Sequence, residues 1–202
     1  REYLALDFNV KEQELESTID DFIAFSFLIG NDFIPYFNDI DIRTGSYDEI
    51  VNVYKMIREI NPSHLVENGE FNKDVLKLFL QKIIDLFHKK YKEDNELNES
   101  DEEISRIINE NNRKFVLEKF KVPEEELDDL IKNLSISILD AFDWVLKYYR
   151  EGCPSWKWHY PYHYAPPLEL VIPYIDEHES EFEEEYPNKP LLQLLAVSPP
   201  QS

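Results

Sequence analysis

Three places in the 202-residue chain combine residue types in patterns that could do chemistry. The first is Gly30-Asn31-Asp32-Phe33, which follows an almost unbroken apolar run. A carboxylate at Asp32, set at the edge of a core, is a hard oxygen donor of the kind Mg²⁺ prefers. The same four residues also make an ordinary Asx turn. One carboxylate does not build a two-metal site, so a catalytic Asp32 needs partners from elsewhere. The second place is Cys153 to Pro167, where Trp156, Trp158, Tyr160, Tyr162 and Tyr164 lie among four prolines. Those rings are either a rigid wedge packed on a helix or a platform on which unpaired bases stack. The third is His159 and His163, four apart and close to Cys153, which raises the possibility of zinc. Proline there removes the helix that would align both imidazoles, and no second cysteine completes a tetrahedral set, so histidines satisfied within an aromatic loop are expected.

The elements that must position these residues read as helical almost throughout. Ser17 with Asp20 suggests a capped start for a helix carrying Ile19, Phe22, Ile23, Phe25, Phe27, Leu28 and Ile29. It is apolar on nearly every side and should be buried all round, with Gly30 as a left-handed terminal cap. A second helix starts at Ser46 with Glu49 as capping-box partner and ends before Pro62. A third runs from about Lys73 to Tyr91. Residues 92–103 are polar and acidic and read as a solvated linker between a first segment, 1–91, and a second, 104–202. The second segment opens with a short helix over Ile104 to Phe120. Pro123 then begins a long helix whose stripe is Leu127, Ile131, Leu134, Ile138, Phe142, Val145 and Tyr149, closed by Gly152. The aromatic segment should be extended and rigid. An acidic run, Asp176 to Glu185, and a short apolar helix, Leu191 to Val197, complete the chain. All-α is the expected class, an irregular helical domain carrying an aromatic, proline-rich extended segment.

Composition removes several alternatives. With 21 Lys+Arg against 42 Asp+Glu the formal charge is −21, which excludes a free-standing nucleic-acid binder held by a basic face and a basic membrane-surface module. Four glycines argue against Rossmann and P-loop sites, where backbone must approach phosphate. The single cysteine excludes an internal disulfide and fits a reducing compartment. No apolar run reaches the roughly 18–20 residues that span a bilayer. Beginning at Arg1 with no signal-like segment, the chain reads as an intracellular piece of a longer protein.

Five collinear segments resemble the XRN-type 5′→3′ exoribonucleases. DDFIAFSFLIGNDFIPYF is similar to that family's Asp-Asp-Phe helix ending in Gly-Asn-Asp-Phe-Leu-Pro. DIDIRTGSYDEIVNVYK and LVENGEFNKDVLKLFL resemble the stretches that follow it. DAFDWVLKYYREGCPSWKWHYPYHYAPP resembles the family's most distinctive segment, and PLLQLLAVSPPQS its sequel. Tyr36 stands where the family often has His, and Asn38 where Pro is common. The resemblance implies the helical portion of a larger α/β nuclease that processively degrades 5′-monophosphorylated single-stranded RNA by two-metal hydrolysis. It implies that Asp32 is one catalytic, Mg²⁺-binding carboxylate. It also implies that Trp156 or Trp158 stacks on the RNA, a choice the sequence leaves open. The other acidic residues and the basic phosphate pocket would lie in the nuclease region preceding Arg1. Such a division accounts for the acidity of this chain. Residues 42–45, Ile-Arg-Thr-Gly, lean towards the nuclear rather than the cytoplasmic branch. The competing expectation is a non-catalytic acidic helical scaffold for protein binding.

Overall fold

The computed structural model describes residues 14–40 and 46–199, and these form seven helices and one two-stranded ribbon. The all-α expectation holds. Helix α1 (Leu15–Ser26) passes into a 3₁₀ turn over Phe27–Ile29. It starts earlier than Ser17, because no side chain is needed at its cap. Glu14 holds that position without a side-chain bond, and the Thr18 hydroxyl donates back to the Glu14 carbonyl at 2.9 Å. Asp20 pairs instead with Arg150. Every residue from 17 to 30 is buried or half-buried, as the all-round apolar pattern requires. Gly30 ends the element with φ 81° and ψ 161°, positive in φ but extended rather than left-handed helical. The chain doubles back so tightly that a Cβ here would lie 2.7 Å from the Tyr36 amide nitrogen. Only glycine fits.

Helix α2 (Ser46–Ile60) buries Ile50, Val53, Tyr54 and Ile57. The expected cap by the Ser46 side chain lies outside the described residues, as does the stretch 42–45. Glu49 is engaged by Lys90 Nζ at 2.5 Å. Strands β1 (Val66–Glu67) and β2 (Glu70–Phe71) then pair antiparallel, with Val66 opposite Phe71. Their turn is Asn68-Gly69, both at positive φ (55° and 87°), the conformation that Asn-Gly favours in a two-residue hairpin.

Helix α3 (Lys73–Asp94) is capped by Asn72, whose side chain accepts from the Val75 amide at 3.2 Å. Helix α4 (Asp101–Phe120) is capped by Ser100, with acidic residues 101–103 in its first turn, where they oppose the helix dipole. Helix therefore occupies both ends of the acidic stretch 92–103 and leaves residues 95–100 as the connection. Pro123 precedes a 3₁₀ turn over Glu124–Glu126, and α5 (Leu127–Glu151) begins four residues after it. Of the expected α5 stripe, all but Tyr149 are buried. Tyr149 is half-exposed, stacked at 25° against Phe27. Helices α6 (Leu168–Val171) and α7 (Pro190–Val197) complete the count.

One hydrophobic core joins α1, α2, α3 and the second half of α5 with Tyr160, Ala165, Leu168, Val171 and Ile175. A satellite cluster under α4 joins Val116 to Leu127, Ile131, Leu134 and Leu170. The aromatic segment contributes to both clusters, so it is packed wall as well as surface.

Candidate functional site

The Gly30–Ile34 turn is built from its own side chains. Asn31 Oδ1 accepts from the amides of Phe33 (2.8 Å) and Ile34 (3.0 Å), so an Asx turn is present. Asn31 forms it, leaving the Asp32 carboxylate uncommitted. Asp32 is exposed and makes no hydrogen bond or ion pair among the described residues. The turn is anchored on both sides. Phe33 packs 5.1 Å from Trp144 and 5.0 Å from Tyr148, and Asp39 accepts from the Leu168 amide at 3.3 Å.

Those contacts bring the first candidate to the second. Trp144 lies in a column of rings: Tyr148 at 5.3 Å and 7°, and Trp158 at 5.7 Å and 22°. Phe182 meets the edge of Trp158 at 5.7 Å and 81°. Farther along, the Tyr160 hydroxyl donates to the Tyr164 carbonyl at 2.9 Å, and burial holds the Tyr160 phenol well above its ordinary pKa. Phe120 meets Tyr162 and Tyr164 edge-on. The segment is extended and clamped, as its prolines predict. The two candidate tryptophans differ sharply. Trp158 is half-buried within the column, whereas Trp156 is 55% exposed and has no ring contact among the described residues.

The third candidate is not assembled. His159 Nδ1 lies 3.2 Å from the Lys157 carbonyl, His163 is exposed, and the Cys153 thiol donates to the Ser155 carbonyl at 3.3 Å. Among the described residues no group of three or more His, Cys, Asp or Glu side chains could hold a metal ion. Among the described residues Asp32 therefore stands as a single carboxylate, and a divalent cation held there needs further ligands.

A polar constellation that the sequence reading missed joins α1 to α2 and the hairpin. Asp21 is fully buried, and its carboxylate accepts from the Tyr54 hydroxyl (2.5 Å) and the Val66 amide (2.7 Å). His64 Nδ1 lies 2.7 Å away. Burial and the Asp21 charge push the Tyr54 phenol far above its ordinary pKa. Its sequence signal was a charged residue at a core-facing position of an apolar helix, which must be paired if it is buried. A further cluster places His178 between Asp140 (2.8 Å) and Asp143 (3.8 Å). His178 and Asp143 line a cavity of about 330 Å³ with Lys73 and Lys147. Burial raises the Asp143 carboxyl pKa against the opposing pull of Ser180 and His178.

An irregular helical wall that carries the exposed Asp32 and the exposed Trp156 defines an all-α helical domain. The chain belongs to the Xrn1 helical domain family, which it matches over residues 12–114 and 87–202. It is 26% identical to human 5′-3′ exoribonuclease 1 over 266 aligned positions, covering 98% of this chain and 16% of the relative. It is 23% identical to chicken 5′-3′ exoribonuclease 2 over 295 positions, covering 98% and 31%. The corresponding Yarrowia lipolytica protein is 40% identical over 86 positions, covering 43% and 8%. The chain thus spans less than a third of each of these three relatives. No helix among the described residues is long and apolar enough to cross a membrane.

Proposed function

We propose that this chain is the helical portion of a 5′→3′ exoribonuclease acting on single-stranded RNA with a 5′ monophosphate. Family membership supports the class. The observation that carries the reading is the state of Asp32: an uncommitted carboxylate on a rigid turn, beside a ring column and facing solvent. In this reading Asp32 is the one catalytic carboxylate the chain supplies. It binds Mg²⁺ jointly with acidic residues of the nuclease region of the same polypeptide. When bound, such ions polarise the scissile phosphate and activate water. This chain's own part is to hold the Asp32 oxygen at a fixed place, through Asn31, Phe33 and Gly30, and to present Trp156 for stacking on a base. Its exposure favours Trp156 over Trp158. The charge of −21 fits a division of labour in which phosphate is gripped elsewhere. The reading covers RNA degradation in the nucleus and in the cytoplasm alike.

The test compares this chain with the full-length polypeptide on 5′-monophosphorylated RNA and Mg²⁺. The full-length protein should release mononucleotides from the 5′ end, and the chain alone should leave substrate intact. An inactive full-length protein would favour the acidic scaffold instead.

A further inference from the structure

We propose that Trp144 is the positioning residue for Trp156, an inference that rests on Trp156 stacking on RNA. Trp156 is 55% exposed and no other ring packs on it among the described residues, so ring stacking within the chain does not orient it. The backbone that carries it is held instead. The indole Nε1 of Trp144 donates to the carbonyl of Ser155 at 3.1 Å, and Ser155 immediately precedes Trp156. A peptide unit is planar, so the direction of the Ser155 carbonyl fixes the plane containing the Trp156 amide. From that plane the Trp156 side chain departs.

The donor is itself immobile. Trp144 is 5% exposed, stacked between Tyr148 and Trp158 and flanked by Phe33. The acceptor is equally confined, since Ser155 is 4% exposed and its carbonyl takes a second bond from the Cys153 thiol. A buried tryptophan needs a partner for its N–H, and here the partner is the backbone that aims an exposed ring. Holding that ring before RNA arrives lowers the ordering cost of binding. Phenylalanine at 144 would retain an aromatic face in the column and lose the donor.

The experiment is a double-mutant cycle in the full-length polypeptide. It measures equilibrium binding of a fluorescein-labelled, 5′-monophosphorylated single-stranded RNA, with EDTA present to prevent turnover. Trp156→Ala should weaken binding by about ten- to a hundredfold. Trp144→Phe should weaken it by roughly three- to tenfold. In the Trp156→Ala background Trp144→Phe should add less than about twofold, a coupling that a merely structural role would not produce. Equal weakening in both backgrounds, or no weakening by Trp144→Phe alone, overturns the inference while leaving Trp156 as a stacking residue. Unchanged binding by Trp156→Ala overturns the underlying reading, and the inference with it. Should Trp144→Phe fail to fold, 3-benzothienylalanine at position 144 keeps the bicyclic shape, replaces N–H by sulfur and carries the same expectations.

Discussion

Asp21 and Asp32 belong to one helix-and-turn unit, yet their carboxylates have opposite surroundings. Asp21 is sealed, with the Tyr54 hydroxyl, the Val66 amide and His64 converging on it. Asp32 is exposed and has no partner among the described residues. A buried carboxylate with its acceptor sites filled ties segments together and has no capacity left for an outside ligand. An exposed one contributes almost nothing to folding and keeps its full capacity to coordinate. The lesson is that acidity alone does not mark a site; commitment does. The ring column repeats the contrast, with Trp158 committed and Trp156 free.

Substitutions that separate the two roles test this contrast most directly. Asp21→Ala removes the shared acceptor of the buried Tyr54 hydroxyl, the buried Val66 amide and half-buried His64, and should cost roughly 3–5 kcal/mol, read as a lower denaturant midpoint of the isolated chain. Asp32→Asn should leave that midpoint unchanged. In the full-length polypeptide it should lower kcat on 5′-phosphorylated RNA by about a hundred- to a thousandfold, or roughly 3–4 kcal/mol. Activity within a few-fold of wild type would place Asp32 with the ordinary surface carboxylates. Next in size, Trp156→Ala should cost about 1–3 kcal/mol of RNA affinity with little loss of stability. Trp158→Ala should do the reverse and destabilise the fold, so similar thermal midpoints for the two variants would erase the contrast.

The smallest effect concerns Asp143. Its folded-state pKa is raised by burial, so the folded protein holds its proton to higher pH than the unfolded chain does. Its contribution is therefore favourable in acid and is lost as pH rises through and above the ordinary carboxylate range. Asp143→Asn should flatten that fall, and stability at pH 7 should be equal to wild type or slightly greater. A fall in stability at pH 7 would show that the bonds to Ser180 and His178 outweigh burial.

Much of this was legible in the sequence. Helical periodicity located every long helix, since apolar residues recur at helical spacing in each, and Gly30 declared itself by following a run with no polar side. The helix ends were less legible. Glu14 begins α1 with no cap signal, and three glutamates form a 3₁₀ turn between Pro123 and Leu127. The hairpin was missed: strands of two residues leave no alternation to detect, and its one signal is the Asn68-Gly69 pair. Asp32 was found through its motif, but its lack of partners is a property of the folded turn. Asp21 was missed because its partners lie 33 to 45 residues away, beyond any local spacing. The difference in packing between Trp156 and Trp158 comes from Trp144 and Phe182, neither of which is near them in a recognisable pattern.

The Val66 amide gives the buried carboxylate a reporter in time. A two-residue strand at the edge of a small ribbon would ordinarily exchange its amide hydrogens with solvent in a brief local opening. Val66 instead donates to Asp21, and that acceptor becomes accessible only when α1 separates from the hairpin. Deuterium uptake at Val66 is thereby tied to the opening of the whole α1 unit rather than to the fraying of a turn. One backbone hydrogen, outside every helix, records how often α1, the helix that leads into the Asp32 turn, parts from the hairpin.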